Sequence, residues 1–467
     1  MSIPAQYFQD VLLLPQDINI DTYDNLCLGN GYTNITNMTS NSKQVTVTEA
    51  SHLLGVSADT IRRWAKLGLL RCSRDKHNNR LFSLEEIERT KRRHETKQPG
   101  EKPRFKVLTS PMTEYTSLEL FAGAGGTALG MHNAGFRHLL LNEFDKDACN
   151  TLRQNMPSWN VLEKDIHNVD FHEWRGKIDL LQGGVPCQAF SYAGLSRGFE
   201  DTRGTLFFEF ARAIKEIQPK VIMMENVRGL LTHDHTRTIM TMLKTLDDIG
   251  YNVAVKVLRA QFLDVAQKRE RLVLIGVRKD LEMPILYPKE DSEVLTLWDA
   301  IGDCPESEGA LYPPAKQHVL EMVPQGGYWR DLPPDIQRSY LGGSFHLPGG
   351  KTGMARRLAW NEPSLTLTCS PAQKQTERCH PTETRPLTVR EYARIQSFPD
   401  SWNFTGSIAA RYRQIGNAVP VNLAYHVGRG IIAMLSGEDQ QEFRVVAPVD
   451  IEHATASQVK ADALSML

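Results

Sequence analysis

Ser117-Leu118-Glu119-Leu120-Phe121-Ala122-Gly123-Ala124-Gly125-Gly126 sets a short apolar strand run directly against a glycine-rich turn, and a helical stretch follows. Glycines at such a joint let the backbone turn tightly and approach a ligand, with the first helix amides facing it. The turn lacks the Gly-Lys-Ser/Thr ending that cradles a triphosphate, which argues against ATP. A glycine-rich turn alone also serves merely to join strand to helix, so its meaning depends on its surroundings.

Working outward, strand runs recur at His138–Asn142, Ile178–Gln182, Val221–Glu225, Tyr251–Arg259 and Arg271–Arg278. Amphipathic helices at Thr205–Ile217 and Thr236–Ile249 lie among them. This alternation predicts an α/β fold, a mostly parallel sheet with helices on both faces. Asn142-Glu143-Phe144 ends one strand: the acid can accept from both ribose hydroxyls, and the aromatic can stack on a purine. Asp165-Ile166 follows a third strand region. Each acid alone reads as a surface charge at a strand end. The glycine-rich turn and these two acids, three features in register, point to a nucleoside ligand.

Gly183-Gly184-Val185-Pro186-Cys187-Gln188-Ala189-Phe190-Ser191 also follows a strand. A cysteine at a strand exit points into the ligand crevice of an open sheet, although an isolated Cys is more often structural. Glu225-Asn226-Val227 ends another strand, so a thiol and a carboxyl converge at one sheet edge as a nucleophile with a general acid. Gln267-x-Arg269-x-Arg271 opens the last strand, where alternate residues share one face. That face offers donors to a base or phosphate, or is simply a solvated basic edge.

The 467 residues are enough for two or three domains. Hydrophobic content of 41% and charged content of 23% fit a globular enzyme rather than a disordered or fibrous chain. The 54 Lys and Arg against 55 Asp and Glu give a net charge of -1, which does not exclude nucleic-acid binding, since local patches decide that. Seven scattered cysteines without a C-x-x-C pair predict free thiols in a reducing, cytoplasmic setting and no structural zinc. Cys369 with Cys379-His380 has poor spacing for a metal, so none is expected. Uninterrupted apolar runs stay well short of the roughly 18 residues of a membrane span, and no membrane role is expected.

Residues 1–43, rich in Asn, Thr and Asp, predict a disordered arm. Within 44–93, helical spacing at Thr48–Leu54 and Asp59–Leu67 flanks a turn at Gly55-Val56-Ser57. Ser83 caps a final helix with Glu86 three residues on. Residues 94–115 are basic and aperiodic and read as a linker. From Lys43 to Lys106 there are 16 Lys and Arg against 8 Asp and Glu. This excess reads as a DNA-binding surface, or as a solvated helical pair used for protein contacts.

The chain from about Thr116 to Ala433 resembles the DNA (cytosine-5) methyltransferases, of the kind found as bacterial and phage modification methylases. The motifs that carry the likeness occur in the family's order. They are Phe121–Gly126, Asn142–Asp145, Asp165-Ile166, Gly184–Ser191 with its Pro-Cys-Gln core, and Arg203–Phe208. Glu225-Asn226-Val227, Gln267-x-Arg269-x-Arg271, Arg385–Phe398 and Gly416-Asn417-Ala418-Val419-Pro420 complete the set. Val185 stands where an aromatic is common, and Phe144 where Trp is common. Val45–Arg93 resembles a winged helix-turn-helix of the MerR or excisionase type, on Ala50–Ser57, Thr60-Ile61-Arg62-Arg63-Trp64, Gly68-Leu69-Leu70 and Arg80–Ser83.

The resemblance implies a doubly wound, Rossmann-like, S-adenosylmethionine-dependent domain at 116–284 and 401–436. It further implies a smaller irregular target-recognition domain at 285–400 and a C-terminal tail at 437–467. Cys187 is implied as the nucleophile that adds to cytosine C6. Glu225 is implied to bond N3 and the exocyclic amine, its pKa raised by burial, with Arg271 at O2 and Arg269 in support. The cofactor pocket is implied at Phe121, Gly123, Gly125, Gly126, Glu143, Phe144, Asp165, Ile166, Pro186, Asn417 and Ala418. Gln188 and Ser191 belong to a segment, 188–203, implied to close over a flipped base in double-stranded DNA. Arg62, Arg63 and Arg80 are implied DNA contacts of the helix-turn-helix, which represses its own operon in some relatives and could dimerise. A separate cognate restriction endonuclease is the implied partner. An RNA cytosine methyltransferase on the same fold, and a regulator with a vestigial methylase, are the competing readings.

Overall fold

The computed structural model describes residues 44–54, 61–62, 64–65, 70–95, 102–185, 206–291, 293–347 and 349–465. They fall in two units, Met1–Thr96 and Lys97–Leu467. The predicted arm 1–43 and the turn at Gly55-Val56-Ser57 lie outside the described residues.

In the first unit β1 (Gln44–Thr46) leads into α1 (Val47–Leu53). Glu49 starts that helix by accepting from the Thr46 amide at 2.7 Å and its hydroxyl at 2.8 Å. β2 (Ser73–Arg74) and β3 (Arg80–Ser83) form an antiparallel hairpin, and β3 also pairs with β1. Asp75 shapes the hairpin tip by accepting the His77 and Asn79 amides. α2 (Leu84–Glu95) follows, with the Glu86 amide donating to the Ser83 hydroxyl as its spacing predicts. Ala50, Ile61, Trp64, Leu70, Phe82 and Ile87 close a small core.

The second unit is built on a seven-stranded sheet. In chain order the elements are β4 (Thr116–Leu120), α3 (Gly126–Ala134), β5 (Arg137–Glu143), α4 (Lys146–Asn155), β6 (Val161–Glu163) and β7 (Leu180–Gly184). Then come α5 (Leu206–Ile217), β8 (Val221–Val227), α6 (Arg237–Asp248), β9 (Tyr251–Arg259), the short β10 (Gln267–Lys268) and β11 (Glu270–Arg278). The strand order is β6-β5-β4-β7-β8-β11-β9. Every pairing is parallel except those of β11, which runs against both β8 and β9. β4 is buried at all five positions because helices cover both faces, which is why it reads as a continuous run rather than an alternation.

One face carries α5 and α6, with Phe207, Phe210, Ile214, Ile239 and Leu243 buried against the strands. The other carries α3 and, from far along the chain, α12 (Val421–Ser436). Glycines let those two helices approach: a Cβ at Gly130 would sit 2.4 Å from that of Ala424. Between β11 and α12 lie β12 (Leu286–Pro288), α7 (Leu297–Ile301), α8 (Pro314–Glu321) and α9 (Pro334–Leu341). β13 (Ser364–Leu365), α10 (Val389–Ile395) and α11 (Ile408–Asn417) complete that stretch. Tyr312, Leu320, Trp329, Leu341, Met354 and Cys379 form a separate small core in its irregular middle. The stretch Ile408–Ser436 is apolar enough to suggest a membrane span, but it is two helices, largely buried in the protein.

Three predicted boundaries move. Residues 285–288 join the sheet's core, with Leu286 and Tyr287 fully buried, because β12 pairs with β14 (Phe443–Val445). Residues 385–400, grouped by sequence with the recognition segment, pack instead around Leu297, Tyr392 and Phe398 in a third core shared with α11. The 437–467 stretch is no free tail: besides β14 it holds α13 (Ala456–Leu464), which buries Val459 and Ala463 on the sheet. The described part of the linker is likewise fastened down. The Leu108 amide donates to Asn422 Oδ1 at 3.0 Å, Ser110 pairs with the Tyr425 hydroxyl at 2.7 Å, and Arg104 bonds Asp299 at 2.8 Å.

Candidate active site

The carboxyl ends of the parallel strands open into a cleft of about 710 Å3. Phe121 leaves β4 with φ +58°, a left-handed conformation rare for a bulky residue and common where function holds it. Gly123 follows at φ +53° with nothing near its missing Cβ, so the loop lies open. A Cβ at Gly126 would meet the Val419 carbonyl at 2.3 Å, so the start of α3 is pressed onto the chain's late return.

Glu143 ends β5 and fixes this loop. Its Oε2 accepts the Gly123 amide at 2.6 Å, and Oε1 accepts the amides of Phe144 and Asp145 at 2.7 and 2.8 Å. Phe144 beside it is 73% exposed and lines the cleft, so an apolar ring is open to a ligand there. Asp165 accepts from the His167 amide at 3.1 Å and pairs with its ring at 2.7 Å, and these bonds hold its carboxyl below the usual range. Ile166 is buried beside it. All of these line the cleft except Gly125. Gly125, at φ +90°, is a packing glycine: a Cβ there would sit 2.7 Å from Leu152 and 3.0 Å from Trp402.

Across the cleft, β8 and β11 pair Glu225 with Val273 and Val227 with Arg271. Glu225 and Arg271 are therefore diagonal neighbours on one face, and Arg271 Nε lies 2.5 Å from Glu225 Oε1. Burial pushes the Glu225 carboxyl above its ordinary pKa, opposed by the two arginines. Arg269 is 1% exposed and its guanidinium is pushed down to about 9, chiefly by burial and then by Arg271. It donates to the Leu367 carbonyl at 3.2 Å and the Gly416 carbonyl at 3.0 Å, joining the middle of the chain to its late return.

The predicted sharing of a face by Gln267, Arg269 and Arg271 does not hold. β10 ends at Lys268 and β11 begins at Glu270, so Arg269 lies between strands and the two-residue period is interrupted. Gln267 is buried away from the cleft, donating to Gln396 Oε1 at 2.8 Å and accepting the Leu367 amide at 2.9 Å. Gln396 in turn donates to the carbonyls of Ile415 and Ala418, which sets Asn417 and Ala418 on the cleft wall. Sequence reading quoted Gln396 and Asn226 within motifs but gave neither a role; Asn226 Nδ2 donates to the Val185 carbonyl at 2.9 Å. A polar residue directly after the strand-end acid was the available signal for Asn226. Pro186, Cys187, Gln188 and Ser191, which follow Val185, lie outside the described residues, as does Arg63. Arg62 is exposed on its helix, and Arg80 is half-buried opposite Arg74 in the hairpin.

Comparison with known proteins fits this geometry. The model of the C-5 cytosine-specific DNA methylases matches residues 115–433, and that of the MerR family regulatory proteins matches 46–82. The chain belongs to the C-5 cytosine-specific DNA methylase family and is a DNA (cytosine-5) methyltransferase. It is 55% identical over 407 residues to the type II methyltransferase M.Eco47II of Escherichia coli, covering 84% of this chain and 96% of the relative. It is 58% identical over 347 residues to M.PspPI of Psychrobacter, covering 72% and 83%. A crystal structure described as a prophage-encoded DNA modification methyltransferase (E. coli) shares the fold at TM-score 0.52 and 23% identity, covering 69% of this chain and all of that one.

Proposed function

We propose that this chain is the modification enzyme of a type II restriction–modification pair. In this reading it methylates one cytosine in a specific duplex sequence, and a separate endonuclease cuts the unmethylated form. The observation that supports this best is that one cleft combines an amide-fixed acid and an exposed aromatic, Glu143 and Phe144, with the buried pair Glu225 and Arg271. The first pair suits a nucleoside and the second suits a polar base edge.

The first wall fits S-adenosylmethionine, with Glu143 toward the ribose, Phe121 and Phe144 toward the adenine faces, Asp165 toward the adenine amine, and Asn417 and Ala418 closing the pocket. When bound, that molecule supplies the methyl group. Cytosine C5 is a poor nucleophile, so Cys187 adds through Sγ to C6 and makes C5 enamine-like. Glu225 delivers its proton toward N3 as charge builds on the ring, and Arg271 steadies the O2 edge. After C5 is methylated, its proton leaves and the C6–Sγ bond breaks, returning the thiol. The target base must leave the duplex stack to reach these groups, at a cost of about a few kcal/mol.

The experiment is to express the chain, and Cys187→Ala, in a host lacking cytosine methylation and to bisulfite-sequence the host DNA. Methylation at one short motif, absent from the variant, is expected. Unmethylated DNA from folded wild-type protein overturns the reading.

We further propose that the helix-turn-helix binds DNA through Arg62, Arg63 and Arg80 and represses the enzyme's own promoter. Deleting residues 1–100 stops short of Arg104 and so spares its bonds to Asp299. The truncated enzyme is expected to methylate normally while native promoter output rises. An unchanged promoter rejects the repressor role.

A further inference from the structure

Glu119 on β4 and Gln182 on β7 are register partners inside the sheet, 2% and 0% exposed. Gln182 Nε2 donates to Glu119 Oε2 at 2.6 Å. The row they occupy is otherwise apolar: Leu141 of β5 lies beside Glu119, and Met223 of β8 and Ile275 of β11 continue beyond Gln182. Two residues further along the same strands come Glu143, Phe121, Gly184 and Glu225, all of which line the cleft. Alternate residues of a strand share a face, so the pair lies one row beneath the floor of the cleft.

The pair fits a neutral acid and not a carboxylate. Gln182 Oε1 is buried without a hydrogen-bond partner among the described residues. A carboxylate only accepts and cannot serve that oxygen, whereas a protonated carboxyl carries a donor for it. Acid and amide then close a ring of two hydrogen bonds, and the orphan is satisfied. Burial pushes the carboxyl up to about 8, opposed by the Gln182 bond and helped by the charge of Glu143.

The other titratable groups on the surrounding elements are engaged elsewhere. His138 of β5 bonds Ser117 and the Ala128 carbonyl, Tyr425 and His426 of α12 bond Ser110 and Asp264, and Arg429 reaches the Ala134 carbonyl. His132 of α3 lies against Trp159, Arg137 is exposed at the start of β5, and Glu225 of β8 is held by Arg271. Ionised Glu119 therefore faces the Gln182 oxygen and the Glu143 charge without a cation to offset them. The strands are tightly packed just beyond: a Cβ at Gly183 would sit 3.0 Å from the Leu120 carbonyl, so a displacement of the pair is carried on toward Phe121 and Gly184.

We propose that Glu119 and Gln182 form a proton-dependent positioning pair, whose ring keeps the ends of β4 and β7 in step and with them the glycine-rich loop of the cofactor cleft, and whose loss of the proton weakens cofactor binding. The inference rests on the proposed reading of that cleft as an S-adenosylmethionine site and deepens it.

The test is calorimetric binding of S-adenosylhomocysteine, the product left after methyl transfer, to the full-length enzyme without DNA, from neutral pH to well above about 8. Wild-type affinity is expected to fall about tenfold per pH unit above that value, because only the protonated fraction is competent to bind. In Glu119→Gln an amide reproduces both bonds of the ring, so this variant is expected to bind as wild type does at neutral pH and to lose that fall. A pH dependence of equal size in the two proteins overturns the proposal, and so does a Glu119→Gln protein that fails to fold or binds poorly at neutral pH. Infrared difference spectra of wild type against Glu119→Gln read the proton directly: the band of a protonated carboxyl is expected at neutral pH, and its absence overturns the proposal. Wild type that binds no S-adenosylhomocysteine at any pH sinks the cofactor reading of the cleft and the positioning role with it, while the infrared band still decides whether the ring exists.

Discussion

Asn226 Nδ2 donates to the carbonyl of Val185 at 2.9 Å, so the end of β8 holds the end of β7 just before Pro186 and Cys187. Glu225 stands on one of these neighbouring strands, and the bond fixes the last described residue of the other, from which the sequence continues to Cys187. Asn226→Ala is expected to lower kcat by about 100-fold with little change in cofactor affinity, because small misplacements of a reacting group cost about that much. Equal losses in kcat and in cofactor binding would argue that the site had simply collapsed.

The Glu225 carboxyl, raised by burial against the opposing arginines, keeps its proton to a higher pH than an ordinary glutamate does. Its acid form is the active one in the proposed chemistry, so activity should fall as pH rises through the raised value. Glu225→Gln removes the transferable proton and is expected to lower kcat by about 100- to 10,000-fold. It should also erase that descending limb of the pH–rate profile. A limb that persists in the variant belongs to another group.

Glu119 has no part in the proposed chemistry, yet it is 2% exposed and its pKa is pushed up to about 8 by burial. Its register partner Gln182 donates to it at 2.6 Å. Between the ordinary carboxyl value and about 8 the folded state keeps a proton that the unfolded chain has lost. Stability should therefore decline as pH rises across that window, by up to about 1.4 kcal/mol per pH unit. Glu119→Gln should flatten the decline and raise stability at neutral pH, as urea titrations at several pH values will read. Parallel curves for wild type and variant would mean that Glu119 is ionised throughout.

Truncation after Ser436 removes β14 and α13 and uncovers the sheet around Val253 and Val255. It also strips Lys256 of its bonds to the Asp462 carbonyl at 2.8 Å and the Ser465 hydroxyl at 2.6 Å. Loss of about 2 kcal/mol or more is expected from the apolar contacts alone, since burying one valine is worth about that much. The measurement is the denaturation midpoint, and an unshifted midpoint would return 437–467 to the status of a tail.

The central sheet was legible because its strands are buried on both faces and stand out as apolar runs, and the strand-end acids were legible because parallel strands all deliver their last residues to one edge. β14 was not: three residues long, with two of them exposed, it is specified by pairing with β12 far away in sequence. The strap at 102–115 is held largely by side chains of residues such as Asn422, Tyr425 and Asp299, so its own sequence has no period to reveal it. Gln267 and Arg269 misled for a related reason. The alternation rule presumes an unbroken strand, and the chain breaks its ladder there to meet Gln396 and Gly416.

The cleft takes its walls from Phe121 at one extreme and Gly416–Val419 at the other, with most of the catalytic unit between them. During synthesis the acid, the arginines and the thiol all leave the ribosome before residues 416–419 do. A nascent chain therefore carries the groups for chemistry without the last wall of the pocket beside them. The pocket is therefore completed only once residues 416–419 have been made and have folded back beside the start of α3.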